Sequence, residues 1–553
     1  MPRCSETADR SVAIVGLGAV APGANSPDEV WRVICGDEHQ FRTPVRFDPG
    51  PIHAPDPQAE DRTFGLASGY VDGFRPHPAL ATEIERGDWD ITNWDVVNSE
   101  VLWLRHTLLQ ARDGAVLRPG QRAGCYVSTW TGATLAAEDT VLTSYLARHM
   151  SRRLAQGHGA RTVQEHRLRT LLRGRYRHAN THPHLVLPDM LMRRAMAGLL
   201  PENSDWLTVS AACASSLYAI DLGIASLLAG DCDIAYCGSV NGMGRLMSVS
   251  AAKFQGLSVR GDVRAFDADA DGTLFSEACT MVAIKRYDQA VTDGDRVLAV
   301  ISGSALTTDG RGKAISAPNP AGVRRVLVRA WADGGVTAED VSWVIAHGTG
   351  TPTGDQVEID TFAEAVGDGE LLCTSNKSLF GHTAWAAGGL SVIHAVKALE
   401  HGLIPAQRRF TTPHPALLGT AVRVPSESLH WPAGTQPRVV GVSGMGVGGA
   451  NAHLVVRDRI PQPPARRPPT TPADDAVVLT AWSAWLPGAP EPAEVHHWLA
   501  TGENPPQHGF GDRYPPPSFT ATRLPPIVTE VIDRSHLMAL DVAHRFVSEH
   551  GEL

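Results

Sequence analysis

This chain of 553 residues has no CxxC cysteine pair, no excess of positive charge and no unbroken apolar run of about 18 residues. Its eight cysteines, at 4, 35, 125, 213, 232, 237, 279 and 373, are scattered, which argues against a zinc site or a disulfide framework and for a reducing compartment. The formal charge of −10 makes a broad nucleic-acid-binding face unexpected. With no long apolar run, no membrane span is expected, and the opening MPRCSETADR is too polar for a signal peptide. What the chain does have is 43% hydrophobic and 20% charged residues, the balance of a globular protein, at a length that allows more than one domain. The expectation is a soluble cytoplasmic protein.

Buried strands alternate with helices. SVAIVGLG reads as a strand, followed by the helical SPDEVWRVICG with Ser26 as N-cap and Pro27 in the first turn. WLTVSAACASSLYAIDLG switches from β-branched residues to a helical pattern at Ala214, and VSWVIAHGTGT and RVVGVSGMGVGG run from strands into glycine-rich turns. The pattern predicts a layered α/β domain over 10–458. A proline-rich linker spans 459–476 and a C-terminal extension spans 477–553. The extension echoes the N-terminus: Val12, Pro22, Gly23, Glu29 and Val30 recur as Val477, Pro487, Gly488, Glu494 and Val495, at a constant offset of 465. This reads either as chance similarity between two strand–helix openings or as a partial internal duplication of an α/β segment that ends before any second active site.

Three segments carry chemistry. Cys213, in VSAACASSL, sits between a strand and a helix, where unpaired N–H groups and the helix dipole favour thiolate and a sharp turn exposes the side chain. A cysteine at such a turn is common, so this segment alone decides nothing. His347, in AHGTGTPTGD, follows a strand, and SNKSLFGH carries Lys377 and His382. One thiol with two glycine-flanked histidines meets the requirements of thioester chemistry, a nucleophile plus groups that handle an enolate or oxyanion.

ACASSL, GLSVRGDVRAFDADADGT (256–273), AHGTGTPTGD (346–355), SNKSLFGH (375–382) and GMGVGGANAH (444–453) occur in the order and approximate spacing of the β-ketoacyl synthases of fatty-acid and polyketide pathways. Over 10–458 the chain resembles that family. The resemblance implies a thiolase fold of two pseudo-symmetric αβαβα-like halves, a homodimer, and decarboxylative Claisen condensation with a malonyl-type extender. Cys213 would take the acyl chain, while His347 and His382 would promote decarboxylation and stabilise the enolate. Lys377 would orient the cluster with Glu358, and the backbone N–H groups of Cys213 and Val447 would form the oxyanion hole. Met445, Val447 and Asn451 fall in the gate. No metal or bound cofactor is implied, because the substrate arrives on the phosphopantetheine arm of an acyl carrier protein. Neither nucleic acid nor membrane is an expected partner.

The chain departs from the family pattern at the gate, where Met445 and Val447 replace aromatics and Ala450 replaces threonine. Ser210 and Ala211 replace an Asp-Thr pair, and Ser276 stands for glycine. These changes predict an altered acyl pocket. GLGAVA (16–21), with Asp37 downstream, imitates a dinucleotide fingerprint, but Pro22 interrupts the helix that would follow. DADADG (267–272) imitates a calcium loop, yet position twelve is Ala278 and Glu277 comes one place early. Residues 148–177 hold nine arginines against the single acid Glu165, either a solvated face or a dock for an acidic carrier through Arg167, Arg169 and Arg173. Rival readings are a non-elongating acyltransferase, a silent partner resembling a chain-length factor, which the intact Cys213 opposes, and a thiolase using Cys373.

Overall fold

The computed structural model describes residues 11–89, 99–130, 134–154, 158–176, 179, 186–254, 256–460, 478, 480–484, 486, 492–503 and 524–551. The chain divides into two compact units, Met1–Arg467 and Pro468–Leu553.

In the first unit one mixed sheet of eleven strands forms among the described residues. In chain order the first six are β1 Val12–Val20, β2 Ala123–Thr129, β3 Asp205–Val209, β4 Ile234–Asn241, β5 Ala278–Arg286 and β6 Ala299–Thr308. The remaining five are β7 Trp343–Ile345, β8 Leu371–Thr374, β9 Val422–Arg423, β10 Val439–Gly446 and β11 Ala450–Arg457. Across the sheet the order is β9-β8-β7-β10-β11-β6-β1-β5-β4-β2-β3. Strands β3-β2-β4-β5-β1 and strands β8-β7-β10-β11-β6 follow the same order, with β9 added at one edge. Their directions repeat as well. β2 is parallel to β3 and β4, as β7 is to β8 and β10, and the remaining pairs within each half are antiparallel. The halves meet where β1 pairs with β6 through Val12↔Ile301, Ala13↔Val300 and Ile14↔Ala299. This is the pseudo-symmetric α/β architecture expected from the sequence.

The helices around the sheet include α1 Pro27–Cys35, α2 Ser99–Asp113, α3 Leu135–Leu154, α4 His158–Arg173, α5 Ser215–Ala229, α6 Pro320–Asp333, α7 Pro352–Val366 and α8 Ala387–His401. Side chains alternate across each strand, so β1 serves two cores. Val12 and Ile14 pack with Leu217 and Ile220 of α5 and Leu390 and Ile393 of α8 in a core shared by both halves. Ala13 and Val15 face Leu104 and Leu108 of α2. Leu327 of α6, Phe362 of α7 and Val344 fill the outer core of the second half.

At the start of α1, Ser26 accepts a hydrogen bond from Glu29 N at 3.2 Å and Pro27 occupies the first turn, as predicted. GLGAVA lies within and just beyond β1. A Cβ at Gly16 or Gly18 would fall 2.0 Å from the carbonyl oxygen of Ala111 or Thr107 in α2. These glycines serve close helix–sheet packing, which is the physical reason they imitate a nucleotide motif. Ala212–Ala229 has a mean hydropathy of 1.6 over 18 residues, so by length and composition it could cross a membrane. More than half of it is buried, with Leu217, Ile220 and Leu227 in the central core, as for the core helix of a globular domain.

The described residues of the second unit hold helices α9 Pro492–Thr501, α10 Pro526–Val531 and α11 Arg534–His550, and no strand. Pro492 is the counterpart of Pro27 at the offset of 465, so α9 starts where α1 does. The strand half of the echo differs: 480–484 carry no strand, while 477, 479, 485 and 487–491 lie outside the described residues, as does 461–476 of the linker.

Candidate active site

The strand-to-helix turn after β3 is tight because it is built from small residues. Ala212 has φ +48°, a left-handed conformation that costs a non-glycine residue roughly 1–3 kcal/mol. Ser215 holds the turn: its Oγ accepts from Ala211 N at 2.7 Å and donates to Ala212 O at 2.5 Å. Cys213 is only 6% exposed. The sequence suggested an exposed thiol poised as thiolate, and the structure corrects this. Burial pushes the thiol up to about 11. Lys377 and the backbone N–H groups of Val447 and Cys213, both directed at the sulfur, pull the other way. Dehydration outweighs these pulls, so the group rests as a thiol at neutral pH.

β7 delivers His347. Its N–H donates to Glu358 Oε1 at 2.8 Å and that of Gly348 to Oε2 at 2.6 Å, so one carboxylate of α7 clamps the turn. Gly348 has φ +42°, and a Cβ there would lie 2.7 Å from that of Ser375. Asp355, which sequence reasoning passed over, accepts from Gly350 N at 3.1 Å and Phe266 N at 2.7 Å. Its signal was the acid one helical turn ahead of Glu358 on the same face.

β8 leads into the short helix Lys377–Phe380 and then to His382. The backbone of His382 is fixed on both sides, donating to Leu274 O at 2.7 Å and accepting from Ser276 N at 3.0 Å. Its ring stacks on Phe275 and meets His347 edge-on, with centroids 5.1 Å apart and planes at 87°. Its Nδ1 is buried with no hydrogen-bond partner among the described residues. Burial, then the Lys377 charge, holds both imidazoles well below their usual range, with His382 adding to the effect on His347. Both are therefore neutral at physiological pH. Burial also lowers Lys377 and raises Glu358, and the opposite charge of each partly offsets the shift of the other.

The residues expected at the gate form the hairpin between β10 and β11, where Met445 pairs with Asn451 and Gly446 with Ala450. Gly448 and Gly449 have φ of +98° and +86°, which the turn requires. Val447 is 44% exposed at its tip. Asp309, another residue missed from sequence, anchors the hairpin. It accepts from Asn451 Nδ2 at 2.7 Å and Asn319 N at 3.1 Å, and its own N–H donates to Gly449 O. The departures have local roles too: Ser276 Oγ accepts from Gly69 N, and Ser210 Oγ from the indole N–H of Trp385.

Other candidates fall outside this centre. In the calcium-like loop, Asp267 accepts from the N–H groups of Thr411, Thr412 and Asp269, and Asp271 from Ser258 and Arg260. Those carboxylates are used in tying loops together. Cys373 is fully buried beneath Glu358 and Asp355, its thiol well above the usual range. The arginine-rich stretch forms the hairpin of α3 and α4. Arg148, Arg152, Arg153, Arg167, Arg173 and Arg175 are exposed, and Arg169 pairs with Glu165 at 2.8 Å. Arg177 lies outside the described residues.

Two models of one family match the chain, "Beta-ketoacyl synthase, N-terminal domain" over 9–87 and 205–290 and "Beta-ketoacyl synthase, C-terminal domain" over 298–411. Residues 88–204, which include α3 and α4, lie outside the matched ranges. The chain is 32% identical over 501 residues to a mycocerosic acid synthase-like polyketide synthase of Mycobacterium tuberculosis, covering 87% of this chain and 22% of that one. It is 29% identical over 528 residues to a phenolphthiocerol/phthiocerol polyketide synthase polypeptide of the same organism, covering 89% and 22%. The chain thus spans about a fifth of the length of these relatives. An oxazolomycin ketosynthase domain from Streptomyces albus superposes with a TM-score of 0.67 at 24% identity, covering 83% of this chain and 76% of that one. A ketosynthase–chain length factor, PfaC, gives 0.68 at 24% identity, covering 82% and 48%. These two likenesses show the fold.

Proposed function

The chain belongs to the β-ketoacyl synthase family of condensing acyltransferases, and we propose that residues 10–458 join an acyl group held on Cys213 to a malonyl-type extender in polyketide or related metabolism. The observation that carries this reading is the meeting of a buried thiol, two neutral imidazoles and a backbone N–H pair directed at the thiol.

The Cys213 sulfur attacks the incoming thioester carbonyl, losing its proton as the carrier's thiolate leaves and takes one up. The oxyanion sits where the N–H groups of Cys213 and Val447 converge. Neutral His347 and His382 then donate hydrogen bonds to the malonyl thioester carbonyl, so loss of CO2 leaves an enolate rather than a bare carbanion. The enolate carbon attacks the acyl-Cys213 carbonyl, and collapse expels the Cys213 thiolate, which is reprotonated. Lys377 and Glu358 hold the electrostatics of this sequence. Departure of CO2 supplies the electron pair for the new carbon–carbon bond.

Intact-protein mass spectrometry tests the reading. Incubation with an acyl-loaded carrier protein adds the acyl mass to Cys213, and malonyl-loaded carrier then discharges it as a product two carbons longer. Acylation without discharge would instead identify a non-elongating acyltransferase.

The proposed carrier dock is the arginine-rich hairpin of α3 and α4, whose exposed guanidinium groups suit carboxylates and the phosphodiester of a phosphopantetheine arm. Reversing Arg167, Arg169 and Arg173 to glutamate raises KM for the loaded carrier about tenfold or more and leaves turnover of free pantetheine thioesters unchanged. An unchanged KM would remove the hairpin from carrier recognition. A homodimer fits the edge position of β3, which has no further strand beside it among the described residues. A cytoplasmic location fits the seven described cysteines, which form no disulfide.

A further inference from the structure

Two tryptophans stand beside the site with no part in the chemistry above. Trp130 directly follows β2 and stacks on Trp385, with ring centroids 5.3 Å apart and planes at 24°. Trp385 lies three residues after His382, beyond Ala384 at φ +45°, and its Nε1 donates to Ser210 Oγ at 2.9 Å. Ser210 lies three residues before Cys213. The bond therefore ties the histidine loop to the nucleophile turn, with the indoles at that junction. Register supports the placement, since β2 and β3 are parallel with Ser128 opposite Val209, so Trp130 and Ser210 leave the sheet at the same end. In open α/β sheets that carboxyl end is where ligands bind.

Both rings are held in place, Trp385 by its hydrogen bond and Trp130 by stacking, yet Trp130 remains 36% exposed and Trp385 half-buried. A fixed, flat, partly bare indole surface favours a flat partner, because its π face gains most from an offset-stacked ring or conjugated chain and the cost of ordering it is already met. A flexible saturated chain has to freeze its own rotors to cover the same area.

We propose that Trp130 and Trp385 form an aromatic platform that selects planar, conjugated acyl groups, aryl or polyenoyl, for transfer to Cys213. The inference rests on the acyl-transfer reading and adds the substrate class. It also gives Ser210 a purpose, as the acceptor that orients the platform.

Two measurements on the full chain keep the platform and that reading apart. The first is equilibrium binding of non-transferable amide analogues, cinnamoyl- and octanoyl-pantetheine amide, followed by calorimetry. The cinnamoyl analogue binds about tenfold more tightly, Trp130→Ala and Trp385→Ala each erase that preference, and Trp385→Phe, which keeps a ring but loses the bond to Ser210, restores only part of it. Equal Kd values for the two analogues, or a preference that survives Trp130→Ala, would overturn the platform. The second is competition between cinnamoyl- and octanoyl-pantetheine for acylation of Cys213, read by mass. Cinnamoyl leads about tenfold in the wild type, and Trp130→Ala brings the ratio near one. An octanoyl lead in the wild type would overturn the proposal. Failure of even acetyl thioester to load Cys213 would count against the acyl-transfer reading, and the calorimetric preference would still decide the platform.

Discussion

Cys213→Ala lowers condensation by about four orders of magnitude or more, while release of CO2 from a malonyl thioester stays readily measurable. The separation follows from the layout. Cys213 comes from the turn after β3 in the first half of the sheet, whereas His347 and His382 come from the ends of β7 and β8 in the second. The alanine side chain removes the acyl acceptor and leaves the imidazole pair, clamped by Glu358 and stacked on Phe275, in place. An enolate formed there finds no acyl-enzyme and is protonated. The measurement is paired, with product by mass and CO2 by a coupled assay in the same reaction. If both fall by the same factor, the histidines and the thiol act as one unit and the two-step assignment fails.

The second large effect concerns Lys377. Lys377→Met slows acylation of Cys213 at neutral pH by about ten- to a hundredfold and moves the acid limb of the pH profile upward. Both signs follow from one charge. The Lys377 ammonium favours the Cys213 thiolate against burial, so its loss pushes the thiol further above about 11 and leaves less of the nucleophile. Each unit of displacement costs about tenfold in thiolate population. The same ammonium holds His347 and His382 below the usual imidazole range. Without it both protonate at higher pH, and activity that needs them neutral is lost sooner on acidification. A rate profile from about pH 5 to 8 shows the shift. A limb that stays in place or moves down would mean that Lys377 acts by shape alone.

The parts of the site legible in the sequence were those that local chain geometry dictates. Strand ends followed by glycine or small residues located Cys213, His347 and His382, and the spacing of five motifs selected the family. Protonation states were not legible. The helix terminus at Cys213 pointed toward thiolate, but the 6% exposure that opposes it depends on tertiary packing, which brings in groups as distant in sequence as Lys377 and Val447. Asp309 was missed because its partners, Asn451 and Gly449, lie some 140 positions away and no short-range pattern joins them. The Trp130–Trp385 pair spans a still longer separation. The helical pattern from Ala214 was legible, and its apolar composition matches its place in the core between the two halves of the sheet. In the C-terminal echo the helix start at Pro492 was legible, while 480–484 formed no strand.

The narrow seam between β1 and β6 has a consequence for how the molecule is made. Three residue pairs join the two halves within the sheet, and the nucleophile lies on one side while the two histidines and Lys377 lie on the other. A slip of one position would turn Val12 and Ile14 out of the central core and their neighbours into it. Such a chain would keep nearly all its helices and strands and have no working centre. A working centre therefore requires the alignment of Val12, Ala13 and Ile14 with their partners.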